Sequence, residues 1–498
     1  MTTTGTSSAL EISDTLNANG GSAIGGTAGT GGRITLSTAN TTSGITTNSI
    51  LSADGGDSVT GTAGSAFAPG SGDAITLSTT GDTSVIQINT NIHADGGATT
   101  GASSTNAGNA GSLQIQTSGS GSTITVDAAA TLSASGGHTD ATSTAGTGGA
   151  GAQVTLTASG DNGNIQVDGD IDANGGNANG TTGNAGAAGT INITTTAATG
   201  GTILLEDTAD IDANGGTSAN GQGGAGGDVT VSTTGTNATV TMDTGSSVTT
   251  LGGNGATLGG AGGGNTILIS TTGNNADITV DNTLQTNGGN ALTSGDGGDA
   301  GNITLQTTGD GSDVTVNNDT VINANGGTSA DAGTAGDGGV ITIQTDAGSS
   351  DILVTADEDI TATGGNGAGS SNGGAGGQII INTDSAANGN DGGTITLEND
   401  VDLVTSSGSA TGTGNAGDDS TAGTGNAITL TTNGAGGDIT IGDFVDLTTT
   451  GGTAAAGEAG NGGKPAATDL QKACNAAATL GAPLAQATDP ILQQEETL

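Results

Sequence analysis

The chain has no tryptophan, no tyrosine and two phenylalanines in 498 residues. It has four prolines, one cysteine and three basic residues against 48 acids, for a formal net charge of −45. Each scarcity excludes something. With only two aromatic rings there are no rows of platforms on which sugars stack, and with so few lysines and arginines there are few partners for nucleic-acid phosphates. A lone Cys474 forms no intramolecular disulfide. No run of 18 apolar residues occurs, so the sequence predicts no membrane span. The first residues, MTTTGTSSALEIS, hold neither a basic nor an apolar signal region.

What is abundant is glycine, 101 residues of it, and it recurs with a period. About every 38 residues the chain repeats a strand like ITLST, a strand like ITVDN, a short I-x-A-N-G-G segment and a Gly/Ala/Thr loop. The unit from Asn302 reads NITLQTTGDGSDVTVNNDTVINANGGTSADAGTAGDGG, and the next begins at Val340. Others begin near Arg33, Ala74, Ser112, Ala152, Thr190, Asp228, Asn265, Gln378 and Ala427. Low large-apolar content with high charge would suit disorder, but here the aliphatics alternate. Ile341 and Ile343 face one way while Thr342 and Gln344 face the other, and Ile34/Leu36, Ile75/Leu77, Val154/Leu156 and Ile303/Leu305 repeat the pattern. The second strand does the same with Ile124/Val126, Ile165/Val167, Val240/Met242, Val314/Val316 and Ile395/Leu397.

These units predict an all-β fold, a single-stranded parallel β-helix of roughly 11–12 rungs over residues 1–463, about 38 residues per rung and roughly 55–60 Å long. Two rungs per repeat, with the glycine-rich stretch as the second, is the alternative. Residues 464–498 form a tail of different composition, read as a cap, linker or docking segment. Thr468 or Asp469 would start a short helix there, running to about Leu480.

A glycine pair recurs in nearly every unit, as at Gly20-Gly21, Gly55-Gly56, Gly96-Gly97 and Gly326-Gly327, where a corner needs positive φ or close backbone approach. Before it stand Asn19, Asp54, Asp95, Ser135, Asn174, Asn214, Asn287, Asn325 and Thr363. Stacked, they would make a polar ladder that hydrogen-bonds along the rod.

Acids recur at the second strand: Asp127, Asp168, Glu206, Asp243 and Asp281, then Asn317, Thr355 and Glu398. Carboxylates about 5 Å apart repel by about 0.8 kcal/mol per neighbour in water, and cations would relieve this. Calcium, an oxygen-seeking ion, is the candidate cofactor. Asp168, Asp170 and Asp172, with Glu206, Asp207, Asp210 and Asp212, would add ligands; a solvated acidic face is the plain alternative. No EF-hand loop and no G-G-x-G-x-D nonapeptide occurs. Outward pairs such as Thr35/Ser37, Thr76/Ser78 and Thr155/Thr157 also fit an ice-binding array, interrupted at Gln114/Gln116 and Ile380/Asn382. The acids form no single distinctive cluster, and neither His93 nor His138 sits in a partner motif for Cys474, so no enzyme is expected.

The units G-N-I-T-L-x-T-x-G, V-T-V-x-N and I-N-A-N-G-G resemble the repeats of large bacterial exoproteins of the filamentous-haemagglutinin type over residues 9–463. The resemblance implies a right-handed parallel β-helix, secretion, and a role in surface adhesion or biofilm matrix. The chain departs from that pattern in its long, regular glycine-rich loops and in showing no amino-terminal secretion domain. Those loops suggest a second function, a subunit that assembles with itself end to end or side by side. The expected partners are therefore other copies or extracellular glycans, at the cell surface or beyond it.

Overall fold

In the computed structural model, the described residues are 1–3, 9–66, 73–102, 106–206, 208–256, 260–317, 320–383, 392–418, 427–432, 436–463 and the backbone of 465–469. They form three parallel sheets, one of 13 strands and two of 12, and each repeat contributes one strand to each sheet. One repeat is therefore one rung. The unit from Ile303 shows the plan: Ile303–Thr307 lies in the first sheet, Val314–Val316 in the second and Val321–Asn323 in the third. Among the described residues there is no helix.

Register follows the aliphatic columns. Ile303 pairs with Ile267 below and Ile341 above, and Val314 with Ile278 and Ile352. A one-residue slip would turn each buried face to solvent, which is why the register holds over twelve rungs. Ile303, Leu305, Val314, Val316 and Ile322 are all fully buried, each worth about 1.5–3 kcal/mol relative to exposure. The inward position at the end of the first sheet is polar instead, with buried threonines at Thr38, Thr79, Thr117, Thr195 and Thr233.

The glycine-rich return contributes no strand beyond isolated parallel bridges such as Ala291↔Ser329↔Gly367. It lies against the glycine pair, backbone to backbone. The Gly64 N–H donates to Gly56 O (2.8 Å), the Gly97 N–H to Gly64 O (2.9 Å) and the Gly108 N–H to Gly97 O (2.8 Å). This zigzag alternates between pair and loop, and continues to the bond from the Gly460 N–H to Gly452 O. A Cβ on Gly96 would stand 1.8 Å from Gly108 O, and one on Gly97 2.2 Å from Gly56 O. Close approach is thus what demands glycine here. Positive φ occurs elsewhere, at turn residues such as Asn162, Asn237, Asn275, Asp357 and Asp400.

The tail differs from expectation at its start. Pro465–Asp469 is a strand that pairs with Ile428–Thr432 and extends the first sheet, so Thr468 lies inside a strand and does not cap a helix, while a helix capped by Asp469 would fall outside the described residues. Here the edge of the sheet below outweighs the capping propensity of Thr468. Cys474 and the rest of the expected helix lie outside the described residues.

Candidate functional site

The chemistry-bearing side chains lie at the end of the second sheet, along the third sheet and at the corner that follows it. The corner ladder is built as its sequence suggests. Asp54 Oδ1 accepts the Asp95 N–H at 2.8 Å, Asp95 Oδ1 the Ser135 N–H at 2.8 Å, and Asn174 Oδ1 the Asn214 N–H at 2.8 Å. Asn287 and Asn325 continue it to Thr363, each bond again 2.8 Å. The same device recurs at other corners: Asp277 accepts from the Asp313 N–H, Asp313 from Asp351 and Asp351 from Thr394. Many of the acids are thus backbone acceptors, in the role that asparagine plays on neighbouring rungs.

The five acids Asp127, Asp168, Glu206, Asp243 and Asp281 do stack. They sit one residue past the second-sheet strands, and the Asp168, Glu206, Asp243 and Asp281 amides donate to Val126, Val167, Leu205 and Met242 one rung below. Gln166 Nε2 bridges Asp168 (3.1 Å) and Glu206 (2.8 Å). Partial burial and a hydrogen bond shared with Asp168 raise the Glu206 carboxyl above its ordinary value.

Asp170 and Asp172 lie on Asp170–Asp172, directly below Asp210–Asp212 in the third sheet, with Asp172 beside Asp212. Burial, then repulsion from Asp212 and Asp170, pushes the Asp172 carboxyl up to about 7. Burial raises Asp212 as well, partly offset by the Thr249 hydroxyl, which donates to it at 2.5 Å. Asp210 accepts from the Ser247 hydroxyl at 2.6 Å. Asp207 lies outside the described residues. A further acid column, Asp359, Asp402 and Asp446 on successive third-sheet strands, was not singled out from sequence, because the alternation of Asp with Val321 and Ser247 breaks its run. Burial and the charges of Asp446 and Asp359 raise Asp402.

The structure also assembles a group that the sequence pattern did not reveal. Among the described residues, Asp54, His93 and Asp95 are the one set of three or more acid, histidine or cysteine side chains whose ligand atoms all lie within 4.8 Å of one another. Neither the five stacked acids from Asp127 to Asp281 nor Asp170, Asp172, Asp210 and Asp212 belong to it. His93 stands on the third-sheet strand Ile92–His93, between Ser52 below and Ser133 above. Its Nδ1 lies 3.0 and 3.2 Å from the two Asp54 oxygens. Asp54 also accepts from the Ser52 hydroxyl at 2.7 Å, and Asp95 from the Ser133 hydroxyl at 2.6 Å. Burial alone would raise the Asp54 carboxyl, but the bonds from His93, Ser52 and the Asp95 amide outweigh it and hold it below its ordinary value. The bond to Asp54 raises His93, and burial raises Asp95. The signal available in sequence was register: His93 and Asp95 occupy the Ser52 and Asp54 positions one rung on.

His138 plays a different part. Its Nδ1 accepts the Asn177 N–H at 2.8 Å, replacing an asparagine oxygen in another corner ladder. His138 Nδ1 thus carries a lone pair there, whereas the His93 Nδ1 that faces a carboxylate carries the proton.

The chain matches no family model, no curated protein and no solved structure.

Proposed function

We propose that this chain is a non-catalytic structural rod that works outside the cell, as a surface adhesin or matrix component. The observation that carries this reading is the continuity of its columns. The aliphatic core and the glycine zigzag run from the first rungs to the last, with corner acceptors on most of them, so the molecule offers long faces repeated at about 4.8 Å in place of one cleft. Its recesses agree with that. One of about 490 Å³ lies at the first rung beside Leu16, Arg33 and Leu36, and one of about 390 Å³ lies on the loop face among Asp337, Asn372, Asn415 and Glu458. Three basic residues in the whole chain leave trypsin-like proteases few points of attack, which suits an extracellular material. The resemblance to filamentous-haemagglutinin-type repeats points the same way, with glycans or another surface as partner.

A second reading, a subunit that assembles end to end, is favoured by one feature. In the last described rung Ile441 and Phe444 are exposed, Phe444 by 80%, beside the edge of Asp446–Thr450. Negative-stain electron microscopy over a concentration series, with calcium and with chelator, separates the two. Isolated rods that coat a glycan or cell surface support the adhesive rod. Filaments from pure protein support the subunit, and filaments only with calcium would assign a role to the acid columns. Amorphous particles under every condition would overturn both.

A further inference from the structure

We propose that Asp54, His93 and Asp95 form a binding site for a divalent transition-metal ion of the zinc class. Two ligands on a tetrahedral zinc ion, each 2.0–2.1 Å from the metal, stand about 3.3 Å from each other. His93 Nδ1 already lies 3.0 and 3.2 Å from the two oxygens of Asp54, and an Asp95 oxygen completes a set within 4.8 Å. The two carboxylates are held from behind. Asp54 accepts the Ser52 hydroxyl and the Asp95 N–H; Asp95 accepts the Ser133 hydroxyl and the Ser135 N–H through Oδ1. Asp95 Oδ2 makes no hydrogen bond among the described residues and remains for a ligand. Such outer partners orient carboxylates at metal sites.

The corner differs here from its neighbours in the direction that a cation requires. One rung away the same positions hold Ser133 and Ser135, and two rungs away Asp172 and Asn174, none of them with an imidazole. At His93 two half-buried carboxylates share one ring, an excess of negative charge that a divalent ion neutralises. The imidazole sets the class: nitrogen favours zinc, nickel or copper, whereas calcium takes oxygen alone. His93 and Asp54 keep 27% and 21% of their side-chain surface, which gives an ion and a fourth, water ligand a path from solvent. The ion takes the place of the proton that His93 Nδ1 shares with Asp54, so binding releases a proton and weakens as pH falls.

The chain has two histidines, so the test is direct. Imidazole ¹H–¹⁵N spectra would be followed at pH 7.5 as zinc ions alone are added. The proposal expects the His93 Nδ1 resonance to move to a metal-bound position and saturate, while His138, engaged with the Asn177 N–H, stays in place. Calcium at the same concentrations should move neither. Asp54→Asn and Asp95→Asn keep an oxygen for the corner ladder, as Asn174 does, and so should stay folded while losing at least about tenfold in zinc affinity. His93→Ser restores the residue of the rungs on either side and should abolish the tight site. Equal shifts of both histidines, or undiminished zinc affinity in Asp95→Asn, would overturn the site and leave the three residues as an ion pair within the ladder.

Discussion

At the scale of single residues, the space around each glycine decides what it tolerates. A Cβ on Gly97 would sit 2.2 Å from Gly56 O, against backbone that has nowhere to move, whereas one on Gly21 meets nothing within 4 Å. Gly97→Ala should therefore cost about 3 kcal/mol, and Gly21→Ala close to nothing, a contrast that thermal or urea unfolding of the two variants would measure. The buried threonines behave in the opposite sense. The hydroxyls of Thr79 and Thr195 lack a hydrogen-bond partner, and replacing such a group by an apolar one of the same shape is neutral or stabilising. Thr195→Val is expected to keep or raise the melting temperature; a loss of more than about 1 kcal/mol would mean that the hydroxyl has a partner after all. Asp172 contributes to the pH dependence near neutrality. Its carboxyl rises from 3.8 to about 7 in the folded chain, so between those values the folded state holds a proton that the unfolded state has released. Lowering the pH through that window stabilises the fold. Asp172→Asn should melt higher than the parent at pH 7.5 and gain less on acidification to pH 5.5, whereas an unchanged pH slope would move the titration to another group.

At the scale of the element, the three strands of each rung were legible in the sequence and the glycine layer was not. Alternation at Ile303/Leu305 and Val314/Val316 is a period-two signal that specifies both the strand and its buried face, and the corner oxygens of Asn174 and Asn325 stand where that alternation ends. The glycine-rich return has no side-chain pattern to read, because its order comes from backbone hydrogen bonds between Gly64, Gly97 and Gly108, and a backbone contact leaves no trace except the absence of a Cβ. The site at His93 was hidden for a related reason. Its members, Asp54 and His93, are 39 residues apart and meet only once register is known to the residue. The strand Pro465–Asp469 shows the limit of local propensity: Thr468 is a good helix starter, yet a waiting sheet edge takes it.

At the scale of the whole molecule, 48 acids against three bases set a self-repulsion that the acid columns concentrate along the rod axis. Screening lengths fall from about 30 Å at 0.01 M salt to about 8 Å at 0.15 M, so the melting temperature should climb with added sodium chloride over that range and then level off; a flat response would mean that the acids are already neutralised by bound cations. Contacts run between neighbouring rungs, which makes stability a sum over rungs and their interfaces. The most direct test of the account is therefore to remove one rung. Deleting residues 303–340 places Ile341 above Ile267, with every column in register, because Ile303 pairs with both. Deleting residues 303–321 removes half a rung by length, with its first- and second-sheet strands, and joins the glycine-rich return directly to a third-sheet strand. Thermal unfolding followed by circular dichroism should show the full-rung deletion folded and cooperative, melting within a few degrees of the parent, and the half-rung deletion disrupted. If both deletions melt alike, or the half-rung deletion is the better tolerated, the repeat is not one rung and the stacked columns do not hold this molecule together.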